Sequence, residues 1–311
     1  VKAVLTGAHG MLGSSIRAAW ERERPSDELV GLGRRDIDLR DADAVRTLLS
    51  DVAPDLVIHA AAKVGGIADK VANPVSYLRD NLAIDAAVIG GALDASVPSL
   101  LYLGSAAIYP EHADQPIAES ALLGGPLEPA NEPYALAKLT GAKLCEYAGR
   151  ERGFAYRVAV PSNLYGIHDH FELGSAHLVA AALAKVHAAS VAGAESVEVW
   201  GDGTARREFT FAGDLAAWLV AQAGDLHAWP DRLNLGAGVD HTIAEYYEVA
   251  ADVVGFAGAL RFDASKPAGV ARRLLDSGRA RALGWDPPTV LRDGMSAVYA
   301  RYLSDLEGSN R

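Results

Sequence analysis

Short apolar runs alternate with helix-period segments over the first 160 positions of the chain. Lys2-Ala3-Val4-Leu5-Thr6 reads as a buried strand. Met11 to about Glu23 then repeats apolar residues at helical spacing, with Leu12, Ile16 and Ala19 on one face. Leu29-Val30-Gly31-Leu32, Leu56-Val57-Ile58-His59-Ala60, Leu100-Leu101-Tyr102-Leu103-Gly104 and Tyr156-Arg157-Val158-Ala159-Val160 read as four further strands. Helical patterns fill the gaps, notably Tyr77 to Ala95 and Pro133 to Arg152. Strands that are apolar throughout have no face to offer water, so they predict a parallel sheet covered by helices on both sides. Right-handed crossovers then give an α/β fold with a doubly wound order.

Beyond Pro161 the pattern loosens. Asn163 to Ser175 reads as a loop, and His177 to Ser190 as an alanine-rich helix. Val197-Glu198-Val199-Trp200 predicts a strand ahead of the turn Gly201-Asp202-Gly203. Leu233-Asn234-Leu235-Gly236, a helix near Ile243 to Val254, and Leu260-Arg261-Phe262 follow. These describe a second, smaller and less regular part, with no internal repeat, low-complexity tract or long linker.

The 311 residues, half of them apolar, suffice for one large α/β domain or a large and a small one. A formal charge of -11 and a pI near 5.3 argue against a protein that coats nucleic acid or anionic membrane. Anionic small ligands stay open, because a few local arginines can bind them. The one cysteine, Cys145, allows no intramolecular disulfide, which points to a reducing, cytoplasmic setting. No cleavable leader pattern opens the chain, and no run of about 18 apolar residues suggests a membrane span.

Gly7-Ala8-His9-Gly10-Met11-Leu12-Gly13 lies between the first strand and the first helix. That context turns a weak glycine motif into a dinucleotide-binding turn. Gly7 permits the tight turn, Gly10 lets backbone approach a pyrophosphate, and Gly13 lets the helix pack on the strand. At the end of the second strand, where a carboxylate would bind a ribose 2′-hydroxyl, stand Arg34 and Arg35. Guanidiniums suit a 2′-phosphate, so NADP(H) is the expected cofactor, with His9 as a third donor. Asp38 and Leu39 are expected to face the adenine.

Tyr134 and Lys138 stand four positions apart behind Pro133 at a helix start, and so share a helical face. Hydride delivery to a carbonyl needs a donor to neutralise the oxygen as charge develops. A tyrosine near a cation meets that need, and Lys138 supplies the cation. Ser105 ends the fourth strand, on the carboxyl edge where open α/β sheets bind ligands.

With these residues in hand, the chain resembles the extended short-chain dehydrogenase/reductases of nucleotide sugars, and among them the GDP-L-fucose synthase group. The resemblance spans nearly the whole chain. It runs through Ala60-Ala61-Ala62-Lys63-Val64-Gly65-Gly66-Ile67, Leu127-Glu128-Pro129-Ala130-Asn131-Glu132-Pro133-Tyr134 and Lys143-Leu144-Cys145-Glu146. It continues in Asn163-Leu164-Tyr165-Gly166, Trp200-Gly201-Asp202-Gly203-Thr204, Arg207-Glu208-Phe209 and Phe262-Asp263-Ala264-Ser265-Lys266-Pro267.

The resemblance implies a Rossmann domain over residues 1–162, with a returning segment near 205–238. A substrate domain would take 163–204 and 239–311. It implies NADPH as hydride donor to C4 of a nucleoside-diphosphate 4-keto-6-deoxyhexose, and Ser105, Tyr134 and Lys138 as the reducing triad. His177 matches the group's epimerisation histidine. Beyond the glycine turn and the triad, Ala60, Ala61, Ala62, Pro161, Asn163, Leu164 and His177 are expected at the cofactor. Val64, Gly65, Ala106, Ala107, Asn163, Lys185, Trp200, Arg207 and Lys266 are expected at the sugar nucleotide, with Ser105. Lys185 stands where the group usually has arginine. No metal is called for. Such proteins commonly pair as homodimers through helices beside the sheet, here Tyr77 to Ala95 and Pro133 to Arg152.

One departure matters. The group reads Ser-Ser-Cys-Ile-Tyr-Pro where this chain has Ser105-Ala106-Ala107-Ile108-Tyr109-Pro110. The group's thiol works with the histidine to invert carbons beside the ketone, and a methyl group cannot. The expectation is a 4-ketoreductase for a dTDP- or GDP-sugar whose epimerase half is lost or weak. A bifunctional epimerase/reductase, with a base drawn from His168, Asp169 or His170, is the nearest alternative. A 4,6-dehydratase or 4-epimerase of the same superfamily is a further alternative, and a dehydratase would need an acid–base pair just after Ser105, where Ala106-Ala107 gives none. A non-catalytic NADP-binding sensor would have no use for Tyr134.

Overall fold

The structure is a computed structural model that describes residues 1–172, 176–266 and 269–309. Six parallel strands form the central sheet: β1 (Lys2–Thr6), β2 (Glu28–Leu32), β3 (Leu56–His59), β4 (Ser99–Leu103), β5 (Ala155–Pro161) and, after four short strands, β10 (Arg232–Leu235). Their order is β10-β5-β4-β3-β1-β2. The chain leaves β1 in one direction to β2 and in the other to β3. The switch point therefore lies above the carboxyl ends of β1 and β3, where such sheets open a crevice. This is the doubly wound α/β order expected from the apolar strands.

Helices cover both faces, as strands buried on both sides require. α1 (Met11–Glu23) and α7 (Ala212–Gln222) pack together on one face, around Ile16, Trp20, Leu215, Leu219 and Trp285. α2 (Ala42–Val52), α4 (Pro74–Asp94) and α5 (Glu132–Arg152) cover the other, around Val45, Leu49, Val88, Ile89 and the wholly buried Cys145. Each fully buried aliphatic side chain of this kind contributes roughly 1.5–3 kcal/mol. Asp41 caps α2 by accepting from the amides of Asp43 and Ala44.

The third core holds Tyr165, Leu183, Val199, Tyr246 and Met295. It is built by α6 (Leu178–Val191), α8 (Ile243–Val254) and α10 (Leu291–Ser309), with β7 (Ser196–Trp200) paired in parallel to β12 (Ala259–Asp263). Thr242 and Glu245 close a capping box at the start of α8. Small strands tie the remaining segments. β6 (Asn163–Tyr165) pairs with β9 (Phe209–Phe211), while β8 (Arg206–Arg207) lies between β11 (His241–Thr242) and β13 (Arg272–Arg273). The remaining helices are α3 (Ile67–Ala72) and α9 (Gly278–Arg281).

Asn163–Tyr165, expected within a loop, is thus a strand; three residues are too few to show a period. α7 escaped sequence analysis because it is apolar nearly all round, which hides the face a helix presents to a core. Among the described residues no helix is long and apolar enough to cross a membrane.

Candidate active site

The turn after β1 is a cradle that only glycine fits. Gly7 has φ +75°, and a Cβ there would lie 2.8 Å from the backbone of Ala60. A Cβ on Gly13 would stand 2.0 Å from the Gly7 carbonyl oxygen. α1 starts at Met11 with Gly10 at its N-cap and no side-chain cap, so the first amides of Met11, Leu12 and Gly13 are offered to whatever lies above. Ala60, Ala61 and Ala62 leave β3 beside this turn, and the Ala61 amide donates to Thr6 Oγ1 at 3.4 Å. Bare amides and absent side chains at a helix N-terminus fit a pyrophosphate.

At the end of β2, His9 lies across Gly33; a Cβ on Gly33 would sit 2.2 Å from the ring. Arg34 and Arg35 are exposed. Asp36 accepts from the Gly33 amide at 2.7 Å and stands 3.8 Å from His9 Nε2, so one carboxylate shares this corner with the cations. Asp38 is engaged by Arg40, which donates from Nε at 2.9 Å and from its terminal nitrogen at 2.7 Å. Leu39 is partly buried against the core on the α2 and α4 side.

Ser105 follows β4, and its Oγ accepts from the Ala107 amide at 3.2 Å. Ala106 is buried beside it and Ala107 is half-buried. Tyr134 and Lys138 project from the first two turns of α5, both buried. Ser105 stands close enough to Tyr134 to act on its phenol. Burial pushes the Tyr134 phenol up to about 12, Ser105 draws it down, and the charge of Asp85 pushes it up. The expected sharpening by Lys138 alone is thus incomplete as physics. The Lys138 ammonium lies 3.6 Å from Asp85 Oδ1 and 4.0 Å from the Tyr102 ring centroid. The carboxylate answers its charge.

Asp85 was missed in the sequence. The available signal was a carboxylate on α4 in register with Asn81, Val88, Ile89 and Ala92, on the buried face. Lys70 was missed as well. Its ammonium lies 4.6 Å from the Tyr134 ring centroid and donates to Asn131 Oδ1 at 2.8 Å. Burial pulls it down to about 8.

His177 stands at the N-cap position of α6, with its ring centroid 6.3 Å from that of His170. Burial first, then the charges of Lys70 and His170, lower its pKa, so the imidazole is neutral at pH 7. Asp169, which accepts from the His170 amide at 3.0 Å, is raised to about 6 by burial. Cys145 is remote from this chemistry: its thiol faces the Arg157 carbonyl oxygen at 3.8 Å and is pushed well up by burial.

Three of the residues expected at the sugar nucleotide form a second group. Lys185 and Lys266 approach one exposed indole, Trp200, at 5.5 Å and 5.9 Å from its ring. A cavity of about 210 Å³ beside it is lined by Leu178, Lys185, Trp200, Gly203 and Tyr247, and so begins one residue beyond His177. Arg207 is half-buried, its pKa lowered by burial, with Glu128 and Arg273 close enough to act on it. Asn163 donates to the Glu208 carbonyl at 3.3 Å. Pro161 ends β5, and Leu164 packs on the α1 core. Val64 is exposed, whereas Gly65 is buried against Tyr77, whose hydroxyl would lie 2.1 Å from a Cβ there. Ser175 and Pro267, named above, lie outside the described residues.

Residues 3–236 match the model of the NAD dependent epimerase/dehydratase family. The chain belongs to that family. It is 42% identical to a GDP-L-fucose synthase of Escherichia coli K12 over 311 residues, covering 97% of each chain. It is 39% identical to a GDP-L-colitose synthase of Yersinia pseudotuberculosis, covering 98% of this chain and 99% of that one. Among solved structures it is similar to a GDP-6-OMe-4-keto-L-xylo-heptose reductase of Campylobacter jejuni, with TM-score 0.90, 28% identity and 98% of each chain covered. A GDP-mannoheptose C4 reductase of the same organism, with NADP bound, has TM-score 0.87 and 29% identity, covering 97% of this chain and 98% of that one. The expectations of an extended short-chain dehydrogenase/reductase, an oxidoreductase using NADP(H), agree with these relatives.

Proposed function

We propose that the protein is an NADPH-dependent 4-ketoreductase of a nucleoside-diphosphate 4-keto-6-deoxyhexose, and that it leaves the neighbouring sugar carbons uninverted. The observation that supports this reading is that Tyr134 and Lys138 lie buried on α5, with Ser105 close to Tyr134 after β4 and a methyl group at position 107. NADPH bound along the cradle supplies the hydride. Tyr134 gives its phenolic proton to the carbonyl oxygen as charge builds there, and Ser105 donates to the same oxygen. The Lys138 ammonium offsets the phenolate that Tyr134 becomes. Inversion beside the ketone needs one group to take a proton and another to return one on the opposite face. His177 offers a neutral imidazole, but the Ala107 methyl offers nothing opposite it.

The second lobe, 163–204 and 239–311, is assigned to the sugar nucleotide. Trp200 gives a face for a base to stack on, and Lys185 and Lys266 beside it suit a diphosphate. The relatives' names favour GDP over dTDP. A homodimer through α4 and α5 fits this reading: Leu136, Thr140 and Tyr147 form an exposed stripe along α5.

The test is incubation with NADPH and GDP- and dTDP-linked 4-keto-6-deoxy sugars in deuterated water. NADPH oxidation with no deuterium at C3 or C5 supports the reading. Deuterium at those carbons with an inverted product overturns its stereochemical half and favours a bifunctional enzyme, which the synthase names of the relatives keep as the second reading. Tight NADPH binding without oxidation across the panel favours the sensor.

A further inference from the structure

Beneath the catalytic lysine lies a closed polar chain that the reduction scheme does not use. Thr6, His59, Asp85, Tyr102 and Lys138 are all 2% exposed or less. Thr6 Oγ1 lies 2.7 Å from His59 Nδ1, and the same oxygen receives the Ala61 amide. An ionised Asp85 can only accept, so neutral His59 carries its proton on Nε2, and its bare Nδ1 accepts from the Thr6 hydroxyl. That nitrogen stands 3.1 Å from Asp85 Oδ1. The Tyr102 hydroxyl donates to Asp85 Oδ2 at 2.5 Å. His59 and Tyr102 thus both donate to one carboxylate, and among the described residues the full charge facing it is the Lys138 ammonium at 3.6 Å.

We propose that Asp85 is a positioning residue for the reduction: it keeps Lys138 charged and in place in a site too dry to hold a lone ammonium. The proposal rests on the ketoreductase reading and deepens it. A buried lysine without a counter-charge gives up its proton. A neutral Lys138 would leave Tyr134 with no cation to offset the phenolate. Burial lowers the pKa of Lys138, and Asp85 is the group that raises it again. The groups facing the ammonium are Asp85 from α4 and Tyr102 from β4, with neutral His59 from β3 behind Asp85 and Tyr134 one turn earlier on α5. Only Asp85 among them is an anion. The chain also joins Lys138 to the amide of Ala61, beside the cofactor turn.

The experiment is the pH profile of kcat for NADPH oxidation by Asp85→Asn, Asp85→Glu and the parent, with NADPH affinity and thermal midpoint measured on the same samples. Asp85→Asn keeps the shape and removes the charge. Its alkaline limb is expected to move at least about one pH unit lower, with kcat down about tenfold at pH 8. Asp85→Glu restores the charge and is expected to restore the limb. A purely structural role would lower the thermal midpoint and leave the limb of the folded enzyme unmoved, and that result overturns the proposal. Should Asp85→Asn not fold, Tyr102→Phe carries the test. It removes one donor from the carboxylate, leaves more of its charge for Lys138, and is expected to move the limb upward; an unmoved limb refutes it. Parent enzyme that oxidises no NADPH with any 4-keto sugar defeats the underlying reading instead, so the two failures are distinguishable.

Discussion

Replacing Tyr134 by Phe removes one oxygen from the protein and tests the reduction scheme most directly. The ring is 92% buried, and the Lys70 ammonium over its face has the same partner in Phe. The variant therefore keeps its packing and loses only the hydroxyl beside Ser105, so its stability should change by no more than about 1 kcal/mol. The cost in rate is larger. A positioned proton donor contributes about 10²–10⁴-fold, or roughly 3–5 kcal/mol of barrier. Ser105 remains to donate to the carbonyl oxygen, so the lower half of that range is expected, with kcat down about 100- to 1,000-fold. The assay follows NADPH absorbance at saturating 4-keto sugar, with NADPH affinity from nucleotide fluorescence. Affinity should change little, because the glycine cradle is untouched. Turnover at the parent rate would show that the phenol is not the proton donor, and the assignment of Ser105 and Lys138 around it would fall too.

The remaining predictions concern inversion, the cofactor, the nucleotide and pH. Ala107→Cys puts a thiol in the turn after Ser105, and is expected to introduce deuterium from solvent at C3 or C5; no wash-in would show that the methyl at 107 is not what withholds inversion. Gly13→Ala drives a Cβ to 2.0 Å from the Gly7 carbonyl, so NADPH affinity should fall at least about tenfold, measured by fluorescence titration. Trp200→Ala should raise KM for the sugar nucleotide about tenfold or more with kcat nearly unchanged, since stacking on a base is made equally in ground and transition states. Glu208 is buried, accepts from the amides of Gly238 and Leu275, and is raised by burial from 4.5 to about 7. The stability contributed by its neutral form is fully present below about pH 4.5 and is lost as pH rises through about 7, up to about 3 kcal/mol. Urea midpoints across that window should fall less steeply for Glu208→Gln than for the parent.

Much of the architecture was legible in one dimension. Five of the six central strands announced themselves as apolar runs because a sheet covered on both faces tolerates no polar alternation. α1 and α8 matched their predicted bounds because amphipathic spacing reports a helix with one dry face. The glycine turn could be recognised because its demand is local: Gly7 sits at φ +75°, and a Cβ on Gly13 would meet the Gly7 carbonyl oxygen at 2.0 Å. Tyr134 and Lys138 could be paired because helical spacing alone puts them on one face.

Tertiary structure decided what depends on residues distant in sequence meeting in space. Asp85 reaches Lys138 across 53 positions, and Lys70 reaches the Tyr134 ring across 64. No periodicity encodes such approaches, since they follow from α3, α4 and α5 being folded over the same sheet edge. The charge that Tyr134 experiences was likewise undecidable from spacing. Burial, a neighbouring hydroxyl and a carboxylate compete there, and only the packed chain sets their distances. Local sterics and hydrophobic period therefore specified the scaffold and singled out the candidate reacting groups, while the electrostatics around them arose from long-range packing.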